Sequence, residues 1–160
     1  MAEKADQLSI SEDEIFMGLA LEEARASGAR GEVPVGAVVV WEQQVIARAG
    51  NSPISRNDPT AHAEMLALRQ ASAHLANYRL GGCTLYVTLE PCPMCAGALV
   101  NARIDRLVFG ARDLRFGAVR TKFRIADSDL LNHAVEIVEG VRAAEALELL
   151  QSFFQPLRAR

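Results

Sequence analysis

The spacing of apolar residues predicts a helix close to the start of the chain. The apolar positions recur every three or four residues and share one helix face: Ile15, Phe16, Leu19 and Ala20. Ser11 and Glu14 have the spacing of a capping box, which marks the N-terminus of a helix. Gly28 is a typical residue at a helix end. We therefore predict an amphipathic helix between Ser11 and Gly28.

Two apolar runs that follow this helix predict a β-hairpin. The strands are expected at residues 35–41 and 45–49, with a turn at residues 42–44. The first run begins VGAVVV, with apolar residues at successive positions. Such a run is typical of a strand that is covered on both faces. The pattern therefore predicts helices on both sides of the sheet.

The rest of the chain continues this alternation of helices and strands. Thr60 is predicted to cap a helix with the sequence AHAEMLALRQASA. Pro93 is predicted to begin a helix that continues with MCAGALVNAR. Three further strands and a final amphipathic helix are predicted at residues 84–89, 107–110, 135–138 and 142–154. This order of elements indicates a layered α/β domain with a mixed sheet.

The length and composition fit one folded domain without a membrane segment. The 160 residues are 50% hydrophobic and 23% charged, which is enough apolar material for a core. The longest uncharged apolar stretch, residues 33–41, is too short to cross a bilayer. We expect a flexible N-terminal segment over residues 1–10 and a single domain over residues 11–157.

The start of the chain and its cysteines indicate a cytoplasmic protein. The opening residues, MAEKADQLSISEDE, contain no apolar run after a basic start, so a secretory signal peptide is not expected. The three cysteines are an odd number and do not suggest a disulfide framework. We therefore expect reduced cysteines and a cytoplasmic location.

Charge is unevenly distributed along the chain. The formal net charge of −3 argues against a surface that is basic throughout. Residues 103–124, however, contain seven basic residues and two acidic ones. Such a cluster can contact phosphates locally, but a solvated loop has the same composition. Without other information, the charge pattern favours the solvated loop.

Three potential metal ligands occur at the starts of two predicted helices. Cys92 and Cys95 are three residues apart, so both sulfur atoms can lie on one side of a first helical turn. A helix N-terminus favours the thiolate form of cysteine, and His62 would add a neutral imidazole from the other helix. Two thiolates and one imidazole favour zinc over magnesium or calcium. We therefore predict one Zn²⁺ per subunit, bound by His62, Cys92 and Cys95.

Three protein ligands would leave one position of a tetrahedral zinc ion open for water, as in catalytic sites. Glu64 is two residues from His62, and this spacing does not place both side chains on one helix face. We therefore expect Glu64 to remain off the metal, accept a proton from the bound water and deliver it to a leaving group. The arrangement predicts hydrolysis.

The alternative is a structural zinc site, which requires a fourth ligand. Cys83 is the main candidate, and His74 and His133 are the remaining imidazoles. Cys83 precedes Cys92 by nine residues, which is not a usual zinc-knuckle spacing. A single cysteine at a strand start is more often a core residue. The open, catalytic site is therefore the favoured interpretation.

The two motifs form a known signature. His62-Ala63-Glu64 followed by Pro91-Cys92-Pro93-Met94-Cys95 is the H-x-E and P-C-x-x-C pattern of zinc-dependent nucleobase deaminases. Beyond this pattern, the chain resembles the bacterial tRNA-specific adenosine deaminases from about residue 12 to about residue 155. The segments that carry the resemblance are EVPVGAVVV (32–40), NDPTAHAEMLALRQ (57–70), NYRLGGCTLYVTLEPCPMCAGAL (77–99), RLVFGARD (106–113) and NHAVEIVEG (132–140).

The resemblance implies a fold, an activity and a partner. The fold would be cytidine-deaminase-like, a three-layer α/β/α arrangement with a central mixed five-stranded sheet, so that residues 11–157 form a zinc-dependent deaminase domain. The protein would be a homodimer that binds a tRNA anticodon stem–loop and converts the wobble adenosine of an arginine tRNA to inosine. Zinc-bound hydroxide would attack C6 of adenine, and Glu64 would protonate N1 and then the departing ammonia.

The resemblance also implies a base pocket. Asn51 would hold the target nucleoside by hydrogen bonds, and the backbone of Ala61 and the side chain of Val33 would line the pocket. Each residue has a simpler alternative role. Asn51 lies in the turn-rich sequence NSP and could merely turn the chain, and Val33 could be an ordinary core residue.

Contacts to the RNA outside the pocket are implied at two places. Asp113 would contact the RNA backbone beside the target base, although it could be an ordinary charged loop residue. Phe153 or Phe154 would stack on an anticodon-loop base, with the other ring packed inward. The resemblance therefore favours an RNA-facing surface, rather than a solvated loop, for the basic residues of 103–124. The segment 119–124, VRTKFR, departs from the small residues that many relatives have there, so its contact with tRNA or with a second subunit is in doubt.

Two other functions remain open. A deaminase of free guanine, cytosine or a nucleoside would use the same metal and the same glutamate. A zinc-stabilised RNA-binding module without activity would need no carboxylate at Glu64, so the presence of this residue argues against that function.

Overall fold

The computed structural model describes residues 10–158, which form five helices and five strands. In chain order the elements are α1 (Glu12–Ala29), β1 (Gly36–Trp41), β2 (Gln44–Gly50), α2 (Pro53–Arg56), α3 (Ala63–Leu75), β3 (Cys83–Leu89), α4 (Pro93–Ala102), β4 (Arg106–Ala111), β5 (Glu136–Glu139) and α5 (Ala143–Arg158). The predicted flexible segment over residues 1–10 lies outside the described residues except for Ile10. No helix within residues 10–158 is long and apolar enough to cross a membrane.

The five strands form one mixed sheet. Their order across the sheet is β2-β1-β3-β4-β5. Strand β1 pairs antiparallel with both β2 and β3, whereas β3, β4 and β5 run parallel. The predicted α/β fold with a mixed five-stranded sheet is therefore confirmed.

Helices cover the sheet on both sides and give it two apolar cores. Val39 faces the core that contains residues of α3 and α4, such as Leu66 and Leu99. Val38 faces the opposite core, together with Met17 of α1. Successive residues of a strand point to opposite faces, so an uninterrupted apolar run in β1 serves both cores. The three-layer arrangement follows from this pattern, as the sequence predicted.

The β1–β2 turn is tighter than predicted. Glu42 and Gln43 both have positive φ angles, 49° and 66°, and Trp41 pairs with Gln44. Two positive φ angles are typical of a two-residue hairpin turn, whose twist matches the strands that it joins. Gln44 therefore belongs to β2 rather than to the turn.

The start of α3 differs from the prediction. Thr60 does not cap this helix, because its N–H and its hydroxyl both donate to Oδ1 of Asp58, at 2.8 and 2.7 Å. The N-cap is His62, whose backbone is extended with φ −68° and ψ 151°. By contrast, the predicted starts of α1 and α4 are confirmed: Ser11 accepts the N–H of Glu14, and Pro93 is the first residue of its helix.

Two other differences concern the number and the length of the helices. The four-residue helix α2 was not predicted, because one turn is too short to show a repeat. Helix α5 continues to Arg158, past the predicted end at residue 154, and contains Pro156.

Candidate active site

Two helix N-termini meet at the candidate site. His62 is the N-cap of α3 and Cys92 is the N-cap of α4, and neither side chain caps its own helix. Cys95 is the third residue of α4 and is fully buried, whereas His62 and Cys92 are half-buried. Because the N-terminal end of a helix carries partial positive charge, both helices favour negative sulfur atoms at this point.

The ligand atoms of these residues converge. Nδ1 of His62 lies 3.5 Å from Sγ of Cys92 and 3.6 Å from Sγ of Cys95. All three atoms lie within 4.8 Å of one another. Tetrahedral zinc with bonds of about 2.3 Å to sulfur and about 2.0 Å to nitrogen requires a separation of about 3.6 Å between N and S. The donor set and its spacing therefore fit a zinc ion.

The protonation of the cluster favours a cation. A hydrogen bond from Cys95 lowers the pKa of Cys92 to about 4, and a bond from His62 adds to this against the opposing effect of burial. The hydrogen bond to Cys92 raises the pKa of His62. Cys95, which donates to Cys92 and is buried, has a strongly raised pKa. One thiolate is thus present at neutral pH, and a metal that binds here displaces the proton of the second thiol.

Glu64 lies beside the cluster but does not belong to it. It is the second residue of α3 and only 4% exposed, and burial raises the pKa of its carboxyl group. Its neighbour is the Cys95 thiol. Within residues 10–158, the converging ligand atoms come from His62, Cys92 and Cys95 and not from Glu64. A buried carboxyl group next to a metal site can exchange protons with a substrate.

The candidates for a fourth protein ligand lie elsewhere. Cys83 is the first residue of β3, about 20 Å of strand away from the end that leads to Cys92. Cys83 is fully buried, and burial raises the pKa of its thiol to about 11. Nε2 of His133 lies 2.7 Å from the carbonyl oxygen of Ile104, and His74 lies in the last turn of α3. The structural zinc site that these residues would complete has no support in the described part of the chain.

Comparisons with known proteins agree on the family. A family model described as MafB19-like deaminase matches residues 10–158. A tRNA-specific adenosine deaminase of Haemophilus influenzae is 49% identical over 147 residues, which cover 91% of this chain and 85% of that protein. The corresponding protein of Bacillus subtilis is 44% identical and 94% of each chain is covered. This chain belongs to the tRNA-specific adenosine deaminases. The predicted family is therefore confirmed.

Solved structures of the deaminase fold show the same relationship. A chain from a study of A-to-I editing by tRNA:A34 deaminases at the wobble position of transfer RNA superposes with a TM-score of 0.82. It is 48% identical, and the match covers 85% of this chain and 99% of that one. A guanine deaminase from Nitrosomonas europaea superposes with a TM-score of 0.77 at 29% identity, with 90% and 85% covered. The fold is thus shared with enzymes that act on different purines.

In this tRNA-specific adenosine deaminase chain, the predicted pocket residues lie near one another. Asn51 follows β2 directly, and its N–H donates to the carbonyl of Val35 at 2.9 Å. The next N–H, of Ser52, donates at 2.9 Å to the carbonyl of Ala61, the residue before His62. Val33 is half-buried and packs against the core that contains Ala61. The backbone thus ties Asn51 to the helix start that carries His62, while the roles of these residues in binding stay predictions.

The predicted RNA contacts are placed less distinctively. Oδ1 of Asp113 accepts the N–H groups of Arg115 and Phe116, at 3.0 and 3.1 Å, so this carboxylate stabilises its own loop. Phe153 and Phe154 are both half-buried on α5, with ring centroids 5.2 Å apart in an edge-to-face arrangement. The two rings are similarly buried, so burial does not distinguish the one that would stack on RNA. The stacking role of Phe153 or Phe154 stays a prediction.

The basic cluster over 103–124 is partly neutralised by the fold. Arg106 pairs with Asp13 at 2.6 Å, Arg112 with Glu139 at 2.9 Å and Arg120 with Asp127 at 2.9 Å. Within the described residues, the other four basic side chains of the cluster make no ion pair with a carboxylate. Arg103 donates to Oδ1 of Asn132 at 2.9 Å. We call the remaining three the loop cations: Arg115, Lys122 and Arg124. The charge available to phosphates is therefore smaller than the sequence count suggested.

Sequence reasoning missed two residues that support the pocket. Glu32 is 2% exposed, and its carboxylate accepts the N–H groups of Ser55 at 2.7 Å and Ile54 at 3.3 Å. The hydroxyl of buried Ser27 donates at 2.6 Å to the carbonyl of Asn51. Both fix the segment around Asn51. The available signal was Glu32 itself, a charged residue directly before the apolar run of β1.

Proposed function

We propose that this protein hydrolyses adenosine to inosine and ammonia at the wobble position of a tRNA anticodon, with arginine tRNA as substrate. The single observation that carries the proposal is the 49% identity, over 91% of the chain, to a protein named as a tRNA-specific adenosine deaminase. The convergence of His62, Cys92 and Cys95 beside buried Glu64 supports the same reaction. A tRNA substrate implies a cytoplasmic location.

His62, Cys92 and Cys95 would hold one zinc ion per subunit. When bound, zinc would lower the pKa of a coordinated water molecule towards neutrality. Glu64 would accept a proton from the attacking water and deliver it to N1 of adenine and then to the departing ammonia. Burial supports this role, because it raises the pKa of Glu64 and thus makes its carboxylate a better proton acceptor than an exposed one.

The segment around Asn51 would bind the target nucleoside. The side-chain amide of Asn51 would donate and accept hydrogen bonds with the base or the ribose. Val33 and the backbone of Ala61 would line the pocket. The backbone links between Asn51, Val35 and Ala61 support this assignment, because they hold the segment at a fixed distance from His62. Both backbone groups of Ala61 are already bonded within the chain, so only the second lone pair of its carbonyl is free for the base.

An unpaired anticodon loop fits the surface beside the site. Apolar side chains of the loop after β4 are exposed: Leu114 by 77%, Phe116 by 63% and Phe123 by 55%. The loop cations lie among them. Aromatic rings interleaved with basic side chains are typical of surfaces that bind single-stranded RNA. Asp113 and one ring of Phe153 and Phe154 would extend this surface.

A homodimer is part of the proposal. An apolar groove lies between α3 and α4, lined by Met65, Leu68, Ala98 and Ala102 beside Tyr78, which is 74% exposed. Both helices carry metal ligands at their N-termini, so a second copy seated here would lie next to the site. Light scattering should then give twice the mass of one chain.

One experiment separates this function from its closest alternative. The Nitrosomonas europaea structure is a guanine deaminase, which keeps deamination of free guanine as the second candidate. Zinc-loaded protein should convert the wobble adenosine of arginine tRNA, detected by sequencing the anticodon loop before and after treatment. Ammonia release from free guanine, cytosine and adenosine should stay at background. Ammonia from a free base without conversion of tRNA would overturn the proposal.

A further inference from the structure

Glu90 is a buried glutamate between a core strand and a metal ligand. It follows the last residue of β3, precedes Pro91 and Cys92, and is only 2% exposed. Its backbone N–H donates to the carbonyl of Ala111 at 2.8 Å, which extends the pairing of β3 with β4. The proposed reaction makes no use of this side chain, although it is two residues from Cys92.

The carboxylate of Glu90 is the centre of a loop that belongs to another part of the chain. Oε1 accepts the N–H of Asp113 at 3.1 Å and the hydroxyl of Thr121. Oε2 accepts three successive N–H groups, from Val119 at 3.1 Å, Arg120 at 2.8 Å and Thr121 at 2.9 Å. Five donors on two oxygen atoms leave little capacity unused. The segment 113–121 is thus folded around one side chain.

The same segment also contacts the turn that carries the metal ligand. The N–H of Ala118 donates at 2.9 Å to the carbonyl of Pro91, the residue before Cys92. A side chain at Gly117 would collide with the carboxylate of Glu90 and with the Asp113 carbonyl, so the loop approaches Glu90 as closely as its backbone allows. Hydrogen bonds and close packing therefore give the loop one position relative to residues 91–92, which we call the Cys92 turn.

The outer side of this loop is the exposed, partly basic surface of the proposed RNA site. Leu114 and Phe116 are among the most exposed large apolar side chains of the described residues, and Arg115 lies between them. These side chains stand on the segment whose inner side is bonded to Glu90. The Glu90 carboxylate, together with the hydrogen bond from Ala118 to Pro91, thus sets the position of this surface relative to His62, Cys92 and Cys95.

We propose that Glu90 is a positioning residue for RNA binding: it holds the loop over residues 113–121 against the Cys92 turn, so that the exposed side chains of the loop meet the RNA in a fixed register with the site. The inference rests on the proposed function, because it assigns this loop to the RNA substrate. Glu90 touches no reacting atom. Its loss should therefore weaken binding of the RNA and leave the chemical step nearly intact.

Glu90→Gln is the direct test, since it keeps the shape and replaces one acceptor oxygen by an amide that can only donate. With an anticodon stem–loop as substrate, we expect KM to rise about tenfold, the value of about one hydrogen bond to a charged group, while kcat changes by less than about twofold. Thr121→Val removes only the hydroxyl donor, so we expect it to destabilise the fold less than Glu90→Gln does. We expect it to raise KM by about threefold at the same kcat.

Hydrogen exchange provides a second measurement that needs no substrate. In Glu90→Gln, the loop amides that donate to Glu90, those of Asp113, Val119, Arg120 and Thr121, should exchange faster as a group than in the unsubstituted protein, because only one neutral acceptor oxygen remains for them. Glu32→Gln makes the same change in the other 2%-exposed glutamate that accepts backbone N–H groups. It should leave exchange in the segment 113–121 unchanged.

The outcomes distinguish this inference from the proposed function. A protein that does not convert tRNA at all refutes the function, and the exchange rates still report on the loop. An active protein whose Glu90→Gln variant shows an unchanged KM refutes the inference and leaves the function intact. The inference is also wrong if kcat falls as much as KM rises, or if the variant loses its zinc. Either result would mean that Glu90 supports the Cys92 turn itself rather than RNA binding.

Discussion

Replacement of Glu64 by glutamine separates proton transfer from metal binding. The amide has nearly the shape of the carboxyl group and fits the same site in the first turn of α3, where Glu64 is 4% exposed. It can form hydrogen bonds but cannot carry a proton between water and substrate. The variant therefore removes one chemical capacity and keeps the packing.

The expected loss of rate follows from the role of Glu64 at two proton transfers. A positioned acid–base group typically contributes about 10²- to 10⁴-fold, which corresponds to about 3–5 kcal/mol of activation free energy. The stability of the variant, unlike its rate, should not fall. Burial disfavours the ionised carboxylate, as its raised pKa indicates, so the neutral amide should not lower the free energy of unfolding measured in the presence of a chelator.

Single-turnover assays with excess zinc-loaded protein measure this rate directly, with inosine in an anticodon stem–loop as the product. Zinc content is determined on the same samples. Glu136→Gln serves as the control, because this side chain is 71% exposed and should convert RNA at the unsubstituted rate. A Glu64→Gln variant that keeps more than about a tenth of the rate would refute the acid–base role. A variant that loses zinc would identify Glu64 as a ligand.

Three further predictions concern charge and the metal site. The hydrogen bonds and charge of Arg106 lower the pKa of Asp13 below its ordinary 3.8. The ion pair therefore contributes stability at pH values above 3.8, and this contribution should be lost as the pH falls below 3.8 through the lowered pKa. Urea unfolding of Asp13→Asn should show a smaller loss of stability over that acidic range than the unsubstituted protein. Replacing the three loop cations by alanine should reduce the slope of log Kd against log salt for a stem–loop by about 2, and an unchanged slope would mean that they face solvent. Cys83→Ala should keep one zinc per subunit by elemental analysis and cost about 1 kcal/mol of stability; loss of zinc would restore the four-ligand alternative.

Much of the fold and the set of candidate metal ligands could be predicted from the sequence, because those features depend on short local patterns. The doubly apolar run of β1 predicted coverage on both faces, and the spacing of Cys92 and Cys95 predicted two sulfur atoms in one helical turn. Pro93 marked the start of α4. Each of these signals lies within a few residues of the feature that it predicts.

The features that sequence reasoning missed depend on partners far along the chain. Arg106 is neutralised by Asp13, 93 residues away, so a count of local charges overstated the basic cluster. Thr60 is a different case, because its partner, Asp58, is only two residues away and competes locally with the helix for the Thr60 hydroxyl. Glu90 binds mostly backbone N–H groups, which any sequence offers, so nothing in the composition of residues 113–121 pointed to it.

The source of the oxygen atom in the product tests the central claim most directly. Zinc-loaded protein is incubated with arginine tRNA in ¹⁸O-labelled water, and the nucleoside at the wobble position is isolated and weighed by mass spectrometry. Hydrolytic deamination predicts inosine that carries one ¹⁸O atom, formed only while zinc is present. Adenosine that remains unchanged at this position, or inosine without the label, would contradict the account.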